Sequence, residues 1–382
     1  MTTSAVSTVT GTTEDGFEAV ADALAAARAA EPGLDAQVVA LVDGVRVVDL
    51  VVGDGIAADS LVPVYSVGKG AAHLVVALLV QEGVLELGQR VADVWPEFAT
   101  HGKDTLTLHD LVTHRAGLVG VPEGFTMHEL ASDEALAARL AGQVPAWPVG
   151  KGYGYHAYVV AALTGEVVNR VTGRTLREHY DARIRTPRGL DLYLGLPEGV
   201  TDRALDVQAA LRTPQEEAAR AAGVAPDSLM SLAFNLQTDP PTDIVAVGND
   251  LRVRQLGPAS SGAVGSARGV AGLYAAAIGA DGGGALLDDA SLAAVSALHT
   301  PGADLVTGEQ DHFGLGFERV GRSYPFLGPN AFGHTGATGS VGFADPASGV
   351  ALGYVRRRFS RAGNVAPEVE VLARAVTAAA QR

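Results

Sequence analysis

A tight hairpin near the N-terminus constrains the fold more than any other feature of this sequence. Two β-branched runs, Ala36–Val42 and Val45–Val52, are separated only by Asp43-Gly44. Asp-Gly between two such runs is typical of a two-residue turn that joins antiparallel strands. Residues 17–30, which precede the hairpin, are alanine-rich and have helical spacing. This order predicts an α/β fold in which an antiparallel sheet is flanked by helices.

A second helix is expected soon after the hairpin. Pro63 marks an extended approach, residues 71–80 are almost continuously apolar, and Gly83 is placed to end the helix. A helix that is apolar on all sides is expected to be buried at the centre of a domain. Ser66 and Lys69 lie three residues apart at its start, so their side chains should rise from the same face.

Ser66 and Lys69 are candidates for a nucleophile and its base. The positive end of a helix dipole favours a developing alkoxide, and a lysine in an apolar setting has a lowered pKa and can accept the hydroxyl proton. The chain has only three lysines and sixteen serines, and chance gives this spacing in roughly one such sequence in eight. The two residues alone are equally consistent with an N-capping Ser66 and a solvated Lys69.

Two glycine-rich loops carry the other candidate residues. Tyr155 lies in the first, residues 148–157, and an ammonium group beside it would lower the phenol pKa and make a tyrosinate base. The second, residues 332–342, contains four glycines, which allow a backbone to approach a ligand closely. A backbone N–H there, together with that of Ser66, could bind an oxyanion. Taken alone, His334 in this loop is more simply a structural histidine.

Composition excludes several classes of function. The net charge of −15 disfavours nucleic acid and anionic membranes as partners, and the absence of cysteine excludes disulfides, thiolate metal sites and a cysteine nucleophile. No His-Glu-x-x-His spacing occurs, so neither a metal nor another cofactor is expected. The N-terminus does not resemble a signal peptide, and no apolar run is long enough to span a membrane. A soluble, cytoplasmic protein is therefore expected, with its oligomeric state undetermined.

The pattern of helices and prolines predicts two domains. Residues 1–13 are small and polar and are expected to form a disordered tail. Strand signals are scarce in residues 91–230, which we interpret as a mainly helical domain. It would be inserted into an α/β domain built from residues 14–90 and 231–382. Three late runs are expected to be strands: residues 313–320, 340–344 and 350–357.

The order of three motifs along the chain resembles the class C β-lactamase superfamily of serine hydrolases, and especially its carboxylesterase branch. The motifs are Ser66-x-x-Lys69, Tyr155-x-Ala157 and His334-Thr335-Gly336. The resemblance extends from about residue 17 to the C-terminus. Flanking stretches that share it are residues 61–70, 94–98, 111–118, 342–346 and 353–355.

This resemblance implies both a fold and a mechanism. The fold would be β-lactamase-like, with the helical domain inserted between the two parts of the α/β domain. An acyl-enzyme would form on Ser66, with Lys69 and Tyr155 sharing the proton as general base and acid. The backbone N–H groups of Ser66 and Ala337 would form the oxyanion hole. Residues expected to contact substrate are His334, Gly336, Ser260 and Ser261.

Two departures from the β-lactamases bear on the substrate. Those enzymes have an asparagine where this chain has Ala157, and a lysine where it has His334. A histidine is mostly neutral at pH 7 and cannot supply the fixed charge that holds a β-lactam carboxylate. We therefore expect a carboxylesterase that cleaves small to medium uncharged esters. The alternatives are an acyltransferase or an amide or lactam hydrolase that uses the same acyl-enzyme, and a non-catalytic binding protein.

Overall fold

A computed structural model describes residues 9–363 and 365–382. Within these residues, nine strands form one six-stranded and one three-stranded sheet. The strands are β1 (Val9–Thr13), β2 (Ala36–Val42), β3 (Val45–Val52), β4 (Val62–Pro63), β5 (Leu192–Tyr193), β6 (Val264–Gly265), β7 (Phe332–Thr335), β8 (Val341–Asp345) and β9 (Val350–Arg356).

The larger sheet is antiparallel throughout and confirms the predicted hairpin. Its strand order is β1-β3-β2-β9-β8-β7. Val42 pairs with Val45 across the turn, where Asp43 and Gly44 both adopt positive φ angles, of 48° and 86°. Two left-handed residues give the turn the twist that flanking strands need. The predicted strands near residues 340–344 and 350–357 are β8 and β9.

The N-terminal segment differs in part from the sequence prediction. Val9–Thr13 forms an edge strand paired with β3, from Val9 opposite Val52 to Thr13 opposite Val48. A disordered tail over residues 1–13 is therefore wrong for Val9–Thr13, while residues 1–8 lie outside the described residues. The five residues carry little hydrophobic signal because three of them are exposed and the strand pairs along its backbone with β3.

Helices lie on both faces of the larger sheet. Helix Ala267–Ile278 packs on one face, against β2, β8 and β9. Helices Glu18–Ala30 and Pro367–Ala380 pack together on the other face. The helices are α1 (Glu18–Ala30), α2 (Gly68–Gln81), α3 (Val91–Val94), α4 (Leu108–Val112), α5 (Met127–Leu130), α6 (Asp133–Ala141), α7 (Val160–Thr172), α8 (Leu176–Tyr180), α9 (Thr186–Arg188), α10 (Pro214–Ala222), α11 (Leu229–Ala233), α12 (Ile244–Asn249), α13 (Leu251–Leu256), α14 (Ala267–Ile278), α15 (Asp289–Ser296), α16 (Val320–Ser323) and α17 (Pro367–Ala380).

Helix α2 is the buried central helix that the sequence predicted. Eleven of its fourteen residues are buried, and its apolar side chains belong to the largest hydrophobic cluster. It contacts helices α7, α8 and α14 as well as β7. Gly83, just beyond its end, has a φ of 69° and donates its N–H to Val80 O, as expected of a glycine that terminates a helix. Of the described helices, none is long and apolar enough to cross a membrane.

The three-stranded sheet brings distant parts of the chain together beside α2. Strand β6 pairs with both β4, which leads into Ser66, and β5, which lies within residues 91–230. The described part of residues 91–230 is otherwise mainly helical, but the division into two domains stays a prediction. Residues 313–320 do not form the predicted strand; isolated bridges join Phe313 to Glu318 and Glu318 to Gly333. This tight loop turns Glu318 inward beside β7.

Candidate active site

Ser66 lies in a short 3₁₀ turn between β4 and α2. Tyr65, just before it, has a φ of 50°, which costs about 1–3 kcal/mol in a residue other than glycine. The Tyr65 ring is buried against Phe359, and its hydroxyl donates to Ile244 O at 2.8 Å. These side-chain contacts stabilise the strained backbone conformation of Tyr65. Ser66 is half-buried, whereas the residues on either side of it are buried.

Lys69 is fully buried one turn further along, and three oxygens surround its ammonium nitrogen. Nζ lies 2.8 Å from Ser66 Oγ, 2.7 Å from Ala157 O and 2.7 Å from Ser260 O. The two carbonyls can only accept hydrogen bonds, so they occupy two N–H groups. A neutral amine then directs its lone pair at the Ser66 hydroxyl, in the direction needed to accept its proton.

The surroundings of Lys69 also bring its pKa into the useful range. Burial disfavours the ammonium form, and the opposing charges of Glu318 and Asp133 only partly restore it. The pKa of Lys69 falls to about 7 as a result. At neutral pH a lysine with this pKa is a neutral amine in about half of the molecules, so it can act as a base. The sequence predicted this lowering of the pKa.

Tyr155 is the second side chain that contacts Ser66 Oγ. Its hydroxyl donates to Ser66 Oγ at 2.8 Å, and its ring stacks on Phe313 with centroids 5.7 Å apart. Burial, together with the charge of Glu318, raises the pKa of Tyr155. The expectation of a tyrosinate stabilised by a neighbouring ammonium is therefore wrong in direction. Tyr155 is a neutral phenol that holds a proton ready to donate.

Buried polar contacts that the sequence analysis did not single out hold Tyr155 in place. His114 O accepts from Gly154 N at 3.0 Å, and His114 Nδ1 accepts from His156 N at 3.1 Å. Asp304 Oδ1 accepts from the Tyr155 N–H at 3.2 Å. His114 lies in one of the flanking stretches that carried the family resemblance, so the sequence did contain a signal for it.

The loop after β7 approaches the turn that carries Ser66. A Cβ atom on Gly336 would lie 2.4 Å from Val64 O, so only glycine allows this approach. Gly336 N donates to Ser340 O, and Gly339 N donates to Gly336 O. Among the described residues, the intervening Ala337 N–H has no acceptor. It is therefore available to an oxyanion, and its role in an oxyanion hole stays a prediction.

The residues predicted to contact substrate differ in their burial and in their hydrogen bonds. Ser260 is fully buried; its hydroxyl accepts from Ala161 N at 2.9 Å, and its carbonyl binds Lys69. The prediction that Ser260 contacts substrate is corrected: it positions Lys69. The Ser261 hydroxyl is buried, and within the described residues it has no hydrogen-bond partner. His334 lies beside Tyr155, with ring centroids 6.2 Å apart, and is only 1% exposed.

Two histidines, His109 and His114, make contacts within the protein. His109 Nε2 lies 3.1 Å from His299 Nδ1, and His114 binds the backbone of His156. In the part of the chain that the structure describes, no group of three or more His, Asp or Glu side chains could hold a metal ion.

Comparison with known proteins identifies the family. The sequence model of the Beta-lactamase family matches residues 21–376. The chain belongs to the beta-lactamase family. A relative from Mycobacterium tuberculosis, the esterase/beta-lactamase LipL, is 30% identical over 316 residues, which cover 79% of this chain and 70% of LipL.

Solved structures place the chain near esterases of this family. EstA from Arthrobacter nitroguajacolicus is 38% identical, with a TM-score of 0.87 over 97% of this chain and 98% of that one. A family VIII carboxylesterase is 29% identical, with a TM-score of 0.85 over 97% of this chain and all of that one. The beta-lactamase-like fold predicted from the three motifs is confirmed.

Proposed function

We propose that the protein is a serine carboxylesterase that cleaves small to medium uncharged esters through an acyl-enzyme on Ser66. The observation that carries this proposal is the position of Ser66 Oγ, 2.8 Å from both Lys69 Nζ and Tyr155 OH. A hydroxyl between an amine and a phenol has a proton acceptor on one side and a proton donor on the other. Similarity to EstA and LipL supports ester hydrolysis as the reaction.

Acylation begins with proton transfer to Lys69. Ser66 Oγ forms a bond to the ester carbonyl carbon while its proton passes to the lone pair of Lys69 Nζ. The carbonyl oxygen becomes an oxyanion and accepts hydrogen bonds from the N–H groups of Ser66 and Ala337. When the bond to the leaving alcohol breaks, Tyr155 donates a proton to the alcohol oxygen. The Lys69 ammonium then returns a proton to the Tyr155 phenolate, which leaves Lys69 neutral again.

Deacylation reverses these roles with water as the nucleophile. Water loses a proton to the amine–phenol pair as its oxygen attacks the acyl carbon. The same two N–H groups bind the second oxyanion, and Ser66 leaves with a proton. Transfer to an alcohol or amine would follow the same path, so acyl transfer stays an alternative to be measured by product analysis. The cytoplasmic location likewise stays a prediction.

The nucleophile can be identified by covalent labelling. After treatment with a fluorophosphonate, we expect one adduct by intact-protein mass spectrometry, located on Ser66 by peptide mapping. The Ser66 oxygen displaces fluoride from phosphorus, and the product cannot be hydrolysed rapidly because the phosphonyl group mimics the tetrahedral intermediate.

Two variants test whether the labelling depends on the Ser66 hydroxyl. Ser66→Ala should abolish both the adduct and ester turnover. Ser60→Ala removes a nearby buried hydroxyl that only accepts from Ala57 N, and it should leave both unchanged. An adduct on another residue, or turnover that persists in Ser66→Ala, would contradict the proposed acyl-enzyme.

The pKa of Lys69 predicts a rate that rises with pH. Lysine accepts a proton only when neutral, so kcat/KM for a neutral ester should increase through a midpoint near the Lys69 pKa of about 7. Because burial raises the pKa of Tyr155, loss of the phenol proton should not depress the rate at mildly alkaline pH. Initial rates, corrected for uncatalysed hydrolysis, test this. A flat profile between about pH 6 and pH 9 would exclude Lys69 as the base.

A further inference from the structure

Glu318 is a buried carboxylate at the candidate site that the catalytic scheme does not use. Its two oxygens accept from the Thr335 N–H and the Thr335 hydroxyl, each at 2.9 Å. His334 Nδ1 lies 3.2 Å from Glu318 Oε1. Burial opposes ionisation, but His334, His312 and Thr335 outweigh it and lower the pKa of Glu318 to about 2. Glu318 is therefore charged at neutral pH.

The carboxylate also fixes the proton on His334. Nδ1 faces two acceptors, Glu318 Oε1 and Thr335 O at 2.8 Å, so it carries the hydrogen. Burial lowers the pKa of His334 to about 4, so the ring is neutral at pH 7 and Nε2 has a lone pair. Among the described residues, this buried Nε2 has no partner.

Glu318 thus removes the groups that an anionic substrate would need. The hydroxyl hydrogen of Thr335 is donated to Glu318. The ring hydrogen of His334 is donated to Thr335 O, with Glu318 Oε1 3.2 Å from the same nitrogen. The polar atom that remains near Tyr155 is the acceptor nitrogen Nε2 of His334. The negative charge of Glu318 lies next to Nδ1 of the same ring. That charge acts on the reacting groups: after burial, Glu318 is the largest influence on the pKa values of Lys69 and Tyr155, and it raises both.

We propose that Glu318 is a specificity-determining residue whose buried charge makes the site reject carboxylate-bearing substrates in favour of neutral ones. The inference rests on the proposed ester hydrolysis. A charge enclosed by protein is little screened by salt, so it acts over a longer range than a surface carboxylate.

Other titratable groups around Glu318 determine the pH at which its effect is largest. His312 Nε2 lies 3.8 Å from Glu318 Oε1; burial opposes its protonation, but the carboxylates of Glu318, Glu309 and Asp304 raise the pKa of His312 overall. When protonated, His312 and Lys69 partly offset the charge of Glu318. Above both pKa values they are neutral, whereas Glu318 stays charged and Tyr155 keeps its proton. Rejection of anions should therefore strengthen as pH rises.

The test compares two esters that differ by one carboxylate. We would measure kcat/KM at about pH 8.5 for p-nitrophenyl butyrate and for the mono-p-nitrophenyl ester of succinic acid. The wild type should prefer the butyrate. Glu318→Gln, which keeps the shape but removes the charge, should reduce that preference about tenfold. It should also move the midpoint of the rate–pH profile to lower pH, because Glu318 raises the pKa of Lys69.

Two further variants complete the test. Glu309→Gln removes a carboxylate that is 47% exposed and should leave the preference unchanged. His334→Lys adds a cation beside Glu318 and should reduce the preference even if Glu318→Gln does not fold. If the preference stays within about twofold in every folded variant while butyrate is still hydrolysed, the role of Glu318 is overturned and ester hydrolysis stands. A wild type that hydrolyses neither ester overturns both proposals.

Discussion

Replacing Lys69 with methionine should reduce kcat for a neutral ester by about 10⁴-fold. Methionine fills similar space but has no lone pair that can accept the Ser66 proton. Lys69→Arg should be equally inactive, because a guanidinium group stays protonated at any pH at which the protein is folded. Single-turnover acylation with p-nitrophenyl butyrate measures the effect directly, since it isolates the step in which Ser66 loses its proton.

Lys103 provides a matched control for Lys69. It is also fully buried, and its ammonium group donates to Gln143 O at 2.6 Å and to Thr100 Oγ1 at 3.2 Å. None of these residues contacts Ser66. Lys103→Met should therefore lower the free energy of unfolding but leave kcat unchanged. Comparable activity in Lys69→Met and Lys103→Met would remove Lys69 from the proposed mechanism.

Tyr155→Phe should lower kcat by about 10²- to 10³-fold while KM changes little. The substitution removes only the hydroxyl that donates to Ser66 Oγ at 2.8 Å; the ring can still stack on Phe313. The loss should depend on the leaving group. An alkyl alcohol needs a proton as it departs, whereas p-nitrophenolate leaves as a stable anion. The variant should therefore be more impaired with an ethyl ester than with a p-nitrophenyl ester.

Tyr153→Phe is the corresponding control in the same loop. The Tyr153 hydroxyl donates to Gly302 O at 2.6 Å, so its loss leaves a backbone acceptor unpaired and should cost about 1 kcal/mol of unfolding free energy. Catalysis should be unaffected. Wild-type turnover of the ethyl ester by Tyr155→Phe would show that the leaving group takes its proton from elsewhere.

Structural features that depend on neighbouring residues could be predicted from the sequence, whereas features that depend on distant residues could not. The hairpin at Asp43-Gly44 and the buried helix α2 depend on neighbouring residues, and both are confirmed. The prediction of disorder was wrong for Val9–Thr13 because pairing with the distant strand β3 makes this segment a strand. The prediction of a strand over residues 313–320 was wrong because these residues form a loop whose position depends on β7.

For the site, the sequence indicated which residues to consider but not how they are protonated. Tyr155 and His334 lie in two glycine-rich loops, and only the order of three motifs connected these loops to Ser66. The role of Ser260 was missed because its hydroxyl accepts from the backbone of Ala161 and its backbone carbonyl binds Lys69, and both partners are distant in the sequence. Nothing in the sequence near Glu318 indicates that its carboxylate turns inward to accept from Thr335.

By itself the sequence determined the spacing that puts Ser66 and Lys69 on one helical face, because three residues make nearly one turn. Only the tertiary structure decided the acid–base properties of the site. It buries Lys69 and lowers its pKa to about 7, and it places Tyr155 where burial and Glu318 raise the phenol pKa. The reason is physical: the pKa of a group depends on lost water contacts and on nearby charges, and residues far apart in the chain supply both.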